Sequence, residues 1–516
     1  MVAQDTVKDR QIWTSPIFMV IVNFVIIFIG YYMFFQRSIT ADGVTAYAVG
    51  HMGYDHFTLQ TVLQSIAGGR WLAYLVCYFQ SFIHIDWYEN QWIAQLVKEI
   101  VCAIIPVRMA FLFGKKSEKR VVILDALFLM CTFNVYIEEM FAFNTMEICL
   151  GWLLAFEAAI LFCREKYIAA GMLTFLAISV YQVNYCIVVI VGLGWLLSQN
   201  GFIYNKKMIR KCMYLLLVVA VPTVISMALP MIALQLKWTD TIIKSTVFDS
   251  RVLAESVDLL SNVKRLAGFV FAFFAVSAQG MMPYGMVGIF VILLYVIYVF
   301  EMKSQGERVV TIVLSVVCVS LFFVACFAIS VVQSIVSLPP RVLFGLFTAI
   351  AMLVYVIYSY ARNDICRKTI RYATYVFSAT LFVCVVISGI DHHTSNQLDI
   401  AYAQQIQNEI DAYEQDTGNT ITDIKFYYKD DNYYDTAYSN YMIHHYFVQS
   451  YNNSVYTNNW SAVPMLEWIS GRTYGAEELD EEVYREIFGD PTWTELDLNK
   501  QILFDGGTMY WAIYVN

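Results

Sequence analysis

The sequence predicts an α-helical polytopic membrane protein with about eleven transmembrane helices, its amino terminus inside, and a small exported α/β domain at its carboxyl end. Three observations predict this fold class. Long apolar runs fill the first 390 residues, Lys and Arg cluster in alternate gaps between these runs, and the composition changes from residue 391 onward. A membrane-spanning helix needs about 20 mostly apolar residues, and short cytoplasmic loops carry the excess of Lys and Arg.

Each predicted span covers one apolar run. The spans are 17–35, 92–113, 121–137, 146–163, 167–181, 185–197, 212–236, 284–300, 309–332, 342–360 and 373–390. One more apolar stretch, 266–279, is short, and counting it as a span would place the later basic loops outside. It is therefore predicted to be an interfacial or re-entrant segment.

The orientation follows from the charged residues in the gaps. The basic gaps lie around 115–120, 164–166, 206–211, 303–308 and 362–371, all on the side of the amino terminus. The alternate gaps carry acids, namely Asp42, Asp55, Asp86, Glu89, Glu138 and Glu139. The run that begins at Ile17 has no small-residue cleavage site near it, so it is expected to remain as helix one. The predicted location is the cytoplasmic membrane, crossed many times.

Two domains are predicted, a polytopic catalytic domain over 1–390, with a long first outer loop at 36–91, and an extracytoplasmic domain over 391–516. The tail holds 21 acidic and 5 basic side chains and no run long enough to span, and an odd helix count places it outside. Helices are predicted at 398–413, ending near Gly418, and at 435–451, with a strand at 421–428. Asp505, Gly506 and Gly507 between β-prone runs predict a hairpin.

Composition excludes several classes of protein and site. All eleven cysteines lie between Cys77 and Cys384, so the exported tail has no disulfide framework, which is typical of a bacterium that exports proteins without disulfides. The net charge of −9 speaks against nucleic-acid binding. No metal site is predicted, since the adjacent histidines diverge, and no cofactor is required; a divalent cation at the outer carboxylates is the alternative.

The first outer loop carries the residues best placed for chemistry. Apolar residues between 72 and 83 repeat at helical spacing, which predicts a helix along the outer membrane surface, with Gly69, Arg70 and Trp71 at its start and Asp86 after its end. A carboxylate such as Asp42 can deprotonate an acceptor hydroxyl, and an arginine can neutralise a phosphate leaving group. In the competing interpretation, Asp42 only ends helix one and Arg70 extends to lipid headgroups.

Further candidates lie in other outer segments. Glu138, Glu139 and Gln182 either hydrogen-bond sugar hydroxyls or cap helices. Arg251 and Arg341 are second choices for a phosphate, and for Arg341 an interfacial anchor is the competing interpretation.

Charges also occur inside the second predicted span. Lys98, Glu99 and Arg108 lie there, where charges usually face protein or water. The alternative for Lys98 and Glu99 is that they reach the outer headgroups, and for Arg108 that it extends to the inner surface.

Three short motifs resemble the GtrII family of bacterial glucosyltransferases. They are Gly69-Arg70-Trp71, Phe143-Asn144-Thr145-Met146 and Ser179-Val180-Tyr181-Gln182. The resemblance implies a GT-C type fold and the transfer of a hexose, usually glucose, from a polyprenyl-phosphate carrier to a surface glycan outside the cytoplasmic membrane. It also implies, as partners, membrane lipid, a synthase that loads the carrier and a flippase that presents it. Trp71 and Asn144, within these motifs, join the candidate substrate-binding residues.

The sequence departs from the family pattern after helix one. Family members often have two adjacent acids and a nearby arginine there, whereas this chain has Ala41, Asp42 and Gly43. Asp55 and Asp86 therefore stay open as alternative bases. Two other functions also stay open, a surface polysaccharide polymerase or ligase and a lipid-linked sugar transporter. Transporters tend to carry internal repeats and broken helix pairs, which this sequence does not show.

Overall fold

The structure is a computed structural model. It describes residues 15–35, 39, 44, 62, 66, 69–82, 90–114, 118–129, 145–200, 206–235, 259–275, 285–331, 344–428, 454–457, 459–489 and 498–514.

The first part of the chain is helical wherever it is described at length. Its helices are α1 (Pro16–Tyr31), α2 (Trp71–Ser81), α3 (Gln91–Gly114), α4 (Glu118–Phe128), α5 (Thr145–Cys163), α6 (Tyr167–Val180), α7 (Tyr185–Asn200), α8 (Lys206–Gln235), α9 (Leu259–Ala275), α10 (Met286–Ser304), α11 (Val309–Val331), α12 (Phe344–Tyr360) and α13 (Asp364–Thr417). Short 3-10 turns at Tyr32–Phe35 and Gln182–Asn184 follow α1 and α6.

The remaining elements mix strands and short helices. They are β1 (Asp423–Tyr428), α14 (Ala462–Ser470), β2 (Gly475–Glu478), α15 (Glu481–Phe488), α16 (Leu498–Gln501), β3 (Ile502–Asp505) and β4 (Thr508–Tyr514), with a 3-10 turn at Val455–Thr457 between β1 and α14.

Six helical stretches in the described residues are long and apolar enough to cross a membrane. They are Pro16–Phe35, Gln182–Gln199, Lys206–Leu229, Met286–Ser304, Val309–Ala328 and Asp364–Thr417. Shorter apolar helices lie at Ile148–Cys163, Tyr167–Val180 and Gly345–Tyr360. The protein is thus a helical membrane protein.

Nine of the eleven predicted spans overlap these apolar helices, and the other two, 92–113 and 121–137, overlap α3 and α4; the number of eleven membrane crossings stays a prediction. Helix α3 is long enough to cross, yet it carries three charged residues. Helix α4 is described for only 11 residues. The stretch predicted to be interfacial overlaps α9, a helix of 17 residues.

The chain divides into two compact units. The helical unit comprises Met1–Tyr31, Phe57–His84 and Ala94–Val386, and the α/β unit comprises Tyr32–His56, Ile85–Ile93 and Ile387–Asn516. Parts of the first outer loop therefore group with the tail, whereas the sequence placed the whole loop in the polytopic domain. The boundary at residue 390 and the export of the tail stay predictions.

In the helical unit, α5, α6 and α7 form the centre of the packing. Helix α5 packs against α6 and α7, α8 packs against α6, and α7 packs against α12. At the end of α10, the buried Glu301 carboxylate accepts the backbone N–H groups of Arg362 and Asn363, the latter at 3.1 Å. Because these N–H groups precede α13, Glu301 ties the end of α10 to the turn between α12 and α13.

The α/β unit contains a four-stranded sheet in the order β2-β1-β4-β3. Strand β1 pairs in parallel with β2 and with β4, and β3 pairs antiparallel with β4. The β3–β4 hairpin turns at Gly506 and Gly507, so the hairpin predicted at these residues is confirmed. Helix α13 ends directly before Gly418 and is followed by β1, as predicted, whereas the helix predicted at 435–451 lies outside the described residues.

The core of the α/β unit is lined by one face of α13 and by the sheet. Tyr402, Ile406 and Ile410 of α13 share it with the fully buried Trp511 of β4. Ile39 and Val44, from the first outer loop, are buried in the same core. Several tail tyrosines are core residues too, which accounts for part of the aromatic content of the tail by packing alone.

Helix α13 also carries a buried polar stripe within the α/β unit. Its members are Ser388, Asp391, His392, Ser395, Asn396 and Asp399. Asp399 accepts hydrogen bonds from the Ser454 hydroxyl at 2.6 Å and from the Val455 backbone N–H at 2.9 Å. The ring of His392 stacks on Phe34, just after α1, with centroids 5.5 Å apart. The stripe therefore contacts, within the α/β unit, both the 3-10 turn at 455–457 and the 3-10 turn that contains Phe34.

Candidate functional site

The candidate site begins where the chain enters α2. Gly69 has a positive φ of 69°, a conformation that glycine adopts without a steric penalty, and its N–H donates to the Ile66 carbonyl at 3.0 Å. This turn sets Arg70 directly before the first residue of α2, and the Arg70 carbonyl accepts the N–H of Tyr74 at 3.3 Å. Arg70 is exposed. Its positive charge therefore adds to the partial positive charge of a helix amino terminus.

The second part of the site is the break between α6 and α7. Helix α6 stops because Tyr181 takes an extended conformation, with φ −152° and ψ 124°. The buried side chain of Asn184 reaches back and donates to the Ala177 carbonyl at 2.9 Å, and the same carbonyl accepts the backbone N–H of Tyr181 at 3.1 Å. Gly151 of α5 leaves room for this amide, because a Cβ there would lie 2.6 Å from Asn184 Nδ2.

These two parts meet at Arg70. Its guanidinium carbon lies 4.8 Å from the centroid of the Tyr181 ring, within the range of a cation–π interaction. Its Nε donates to Gln182 Oε1 in a long hydrogen bond of 3.4 Å. Tyr181 is 7 % exposed, so its ring is held by the surrounding protein while the guanidinium that packs on it is exposed. The two contacts restrict the guanidinium while leaving other N–H groups for a ligand.

Trp71 lies beside this arginine site. Its ring is 6.1 Å from that of Phe175 on α6, tilted by 41°. The half-buried Trp71 thus joins α2 to α6, and it directly follows Arg70 in the chain. Such a pairing suits a ligand with a phosphate group and an apolar or sugar face. We call Arg70, Trp71, Tyr181 and Gln182 the arginine site.

The arginine site contains three residues that the sequence predicted to bind substrate, Arg70, Trp71 and Gln182. The other predicted site residues lie outside the described residues. They are the candidate bases Asp42, Asp55 and Asp86, and the candidate binding residues Glu138, Glu139, Asn144, Arg251 and Arg341. Their roles stay predictions. No group of His, Cys, Asp or Glu side chains in the described part of the chain is arranged to hold a metal ion.

Sequence reasoning missed the role of Tyr181. It lies inside the motif Ser179-Val180-Tyr181-Gln182, but its aromatic ring was given no role there. The signal that could have found it is a tyrosine directly before a polar residue at a helix break. One cation can then pack on the tyrosine ring and hydrogen-bond the polar residue that follows it.

A second cation, Lys98 on α3, is fully buried in the helical unit. Lys98 and Glu99 are each 0 % exposed, so the interpretation that they reach lipid headgroups is wrong. The Lys98 ammonium lies 4.5 Å from the centroid of the Tyr31 ring, at the end of α1. Arg108, further along α3, forms a bidentate pair with Glu157 of α5, at 2.8 and 2.6 Å. Arg108 therefore has a protein partner in addition to any contact with the inner surface.

Fold and site together define a helical membrane protein that presents an exposed, supported arginine beside an aromatic side chain. The model of the family described as "Glucosyl transferase GtrII" matches residues 54–358, more than half of the chain. The chain therefore belongs to the GtrII glucosyl transferase family, which makes glucosyl transfer its class of reaction. The match includes the whole arginine site. Among curated proteins and solved structures, none matches this chain.

Proposed function

We propose that this protein transfers a glucosyl residue from a polyprenyl-phosphate carrier to a surface polysaccharide at the outer face of the bacterial cytoplasmic membrane. The observation that carries the proposal is the exposed Arg70 guanidinium, held over Tyr181 and by Gln182 at the start of α2. A phosphate is the leaving group that such an arginine recognises best, because its fork of N–H donors matches phosphate oxygens.

In the proposed reaction, an acceptor hydroxyl attacks the anomeric carbon of the carrier-linked sugar. The bond between this carbon and the phosphate oxygen breaks, and polyprenyl phosphate leaves with the electron pair. Asp42 takes the hydroxyl proton, with Asp55 and Asp86 as alternatives. Arg70 stabilises the charge that develops on the phosphate. Arg70 thus supplies positive charge without a metal ion, and a divalent cation at the carboxylates is the alternative.

The arginine site offers a place for each part of the donor. The guanidinium faces the phosphate, and the ring of Trp71 offers an apolar face to the sugar or to the first part of the lipid chain. Transfer outside the membrane requires a carrier that is loaded on the cytoplasmic side and then moved across. A carrier-loading synthase and a flippase are therefore the proposed partners.

The test is sugar transfer by the purified protein in detergent, with polyprenyl-phosphate glucose as donor and a surface-glycan extract as acceptor. Wild type is compared with Arg70→Gln, Asp42→Asn and Arg164→Gln. Arg164 is an exposed arginine in the loop between α5 and α6, and it controls for the general loss of a positive charge.

We expect transfer by wild type and Arg164→Gln, and loss of transfer in Arg70→Gln and Asp42→Asn. Survival of transfer in folded Asp42→Asn would move the base to Asp55 or Asp86. No transfer by wild type from several polyprenyl-linked sugars would contradict the proposal and favour a polymerase or transporter.

A further inference from the structure

Helix α9 exposes an apolar face next to two cations. Its exposed apolar side chains are Leu259, Leu260, Val263 and Phe271, which are 54 %, 66 %, 48 % and 70 % exposed. Lys264 and Arg265 are exposed as well, and neither has an ion-pair partner among the described residues. None of these side chains is used by the arginine site.

The order of these side chains around the helix places the charge at one edge of the apolar surface. Leu259 and Val263 are four residues apart, so they share one row. Leu260 and Phe271 are eleven residues, about three turns, apart and form the next row. Lys264, four residues after Leu260, lies at the edge of this second row, and Arg265 lies about 100° further around, on the side away from Val263. A helix with an apolar face bordered by cations is the pattern of a segment that lies in a membrane interface.

A buried hydrogen bond fixes the position of the first turn of α9 along the neighbouring helix α11. Asn262 is 3 % exposed, and its side-chain amide donates to the Val331 carbonyl, at the end of α11, at 3.0 Å. Helix α9 packs against both α10 and α11. The basic loop at 303–308 joins α10 and α11 on the predicted inner side, so Val331 ends α11 on the predicted outer side. Asn262 therefore sets the first turn of α9 at the predicted outer membrane surface.

We propose that the exposed face of α9 binds the anionic headgroups of phospholipids in the outer leaflet. The apolar rows lie among the acyl chains, and Lys264 and Arg265 neutralise the headgroup charge. Charge complementarity selects this occupant, because two exposed cations beside lipid-facing apolar side chains attract anionic lipids over zwitterionic ones. The proposal does not depend on the proposed glucosyl transfer, and binding is measured without it.

The test is photo-crosslinking in vesicles of equimolar phosphatidylglycerol and phosphatidylcholine. The full chain carries p-benzoylphenylalanine in place of Leu260, and mass spectrometry identifies the crosslinked lipid. A second protein carries the same group in place of Ile292, which is 64 % exposed on α10 and serves as the matched control. We expect a preference for phosphatidylglycerol on the order of ten-fold at position 260, from the attraction of two surface cations, and near parity at position 292.

Charge variants locate the source of the preference. Lys264→Gln with Arg265→Gln should bring the ratio at position 260 close to parity, while the exchange Lys264→Arg with Arg265→Lys should keep it. Both alter only exposed side chains, and size-exclusion chromatography checks that they fold.

Two results would overturn the proposal. The first is an unchanged ratio of captured phosphatidylglycerol to phosphatidylcholine in the double glutamine variant. Failure of the probe at position 260 to capture any lipid would count in the same way. The second comes from vesicles that also contain a small fraction of polyprenyl phosphate. Capture of that lipid ahead of phosphatidylglycerol would replace phospholipid by the carrier as the ligand of this face.

Discussion

Two cations in the helical unit lie over tyrosine rings at nearly the same distance, but in opposite surroundings. Arg70 is 4.8 Å from the Tyr181 ring and is exposed, whereas Lys98 is 4.5 Å from the Tyr31 ring and is 0 % exposed. Each contact involves one residue at a helix boundary, since Arg70 directly precedes α2 and Tyr31 is the last residue of α1. The contact type alone therefore does not distinguish a binding group from a structural one.

The difference in exposure gives the two cations different tasks. Within the described residues, the side-chain hydrogen bond of Arg70 uses only its Nε, so its other N–H groups can bind a ligand. Because Arg70 is exposed, its contact with the Tyr181 ring requires no burial of the charge. Lys98 has been removed from solvent together with Glu99, and buried charges require compensation from the surrounding protein. We infer that Lys98 acts on stability and Arg70 on ligand binding, and four substitutions test this contrast.

The largest expected effect is on the stability of Lys98→Met. Lys98 is fully buried over the Tyr31 ring, and removal of one charge from a buried, compensated arrangement costs about 3–5 kcal/mol. The folded fraction after heating, followed by size-exclusion chromatography in detergent, measures the loss. Lys119→Met, at an exposed position of α4, is the matched control and should behave as wild type.

A double substitution sharpens this prediction. If Lys98 and Glu99 compensate each other, Lys98→Met with Glu99→Gln should be more stable than Lys98→Met alone. Equal stability of wild type and Lys98→Met would show that the buried lysine has no structural task, and the contrast with Arg70 would fail.

The next effect is on the activity of Arg70→Gln. We expect a loss of about 10²-fold in kcat, because in the proposed reaction the arginine stabilises charge that develops on the leaving phosphate. Thermal stability should stay that of wild type, since Arg70 is exposed. Arg70→Lys should recover only part of the activity, because an ammonium lacks the planar fork of donors. If Arg70→Gln loses stability and activity together, Arg70 has a structural role like that inferred for Lys98, and the contrast between them fails.

A smaller effect is expected for Asn184→Ala, which removes the side-chain hydrogen bond to the Ala177 carbonyl but leaves the backbone bond from Tyr181 to the same carbonyl. The bond contributes about 1 kcal/mol to stability, and its loss loosens the segment that carries Tyr181. We expect a slightly lower unfolding temperature and a lower transfer rate at unchanged acceptor KM. Asn499→Ala removes an exposed amide of α16 and serves as the comparison. Unchanged stability and rate would show that the break does not depend on this amide.

The smallest effect is expected for Gln182→Ala. The hydrogen bond to Arg70 is long, at 3.4 Å, so its removal should raise the donor KM only about three-fold, within the range of one weak hydrogen bond. Tyr181→Leu removes the ring below Arg70 and should have the larger effect of the two. The reverse order would mean that Gln182 binds the ligand directly.

The sequence predicted the helices and the residue types of the arginine site by local rules. Apolar runs and their charged ends give the positions of α7 and α11 to within a few residues, because a helix that crosses a membrane must be long and apolar. The helix at α2 followed from the spacing of its apolar residues. The hairpin at Gly506 followed from turn chemistry. The interfacial placement of α9 rested on its shortness and on the charges of later loops.

Only the tertiary structure decided which of these residues meet and which are buried. Arg70 and Gln182 are 112 residues apart in the chain, and their contact depends on how α2 packs beside α6. Ile39 and Val44 of the first outer loop enter a core formed by the tail. Lys98 is sealed from solvent, although its position near a helix end suggested a wet site. Periodicity and charge act over a few residues, whereas burial and long-range contact depend on all the helices that surround a side chain.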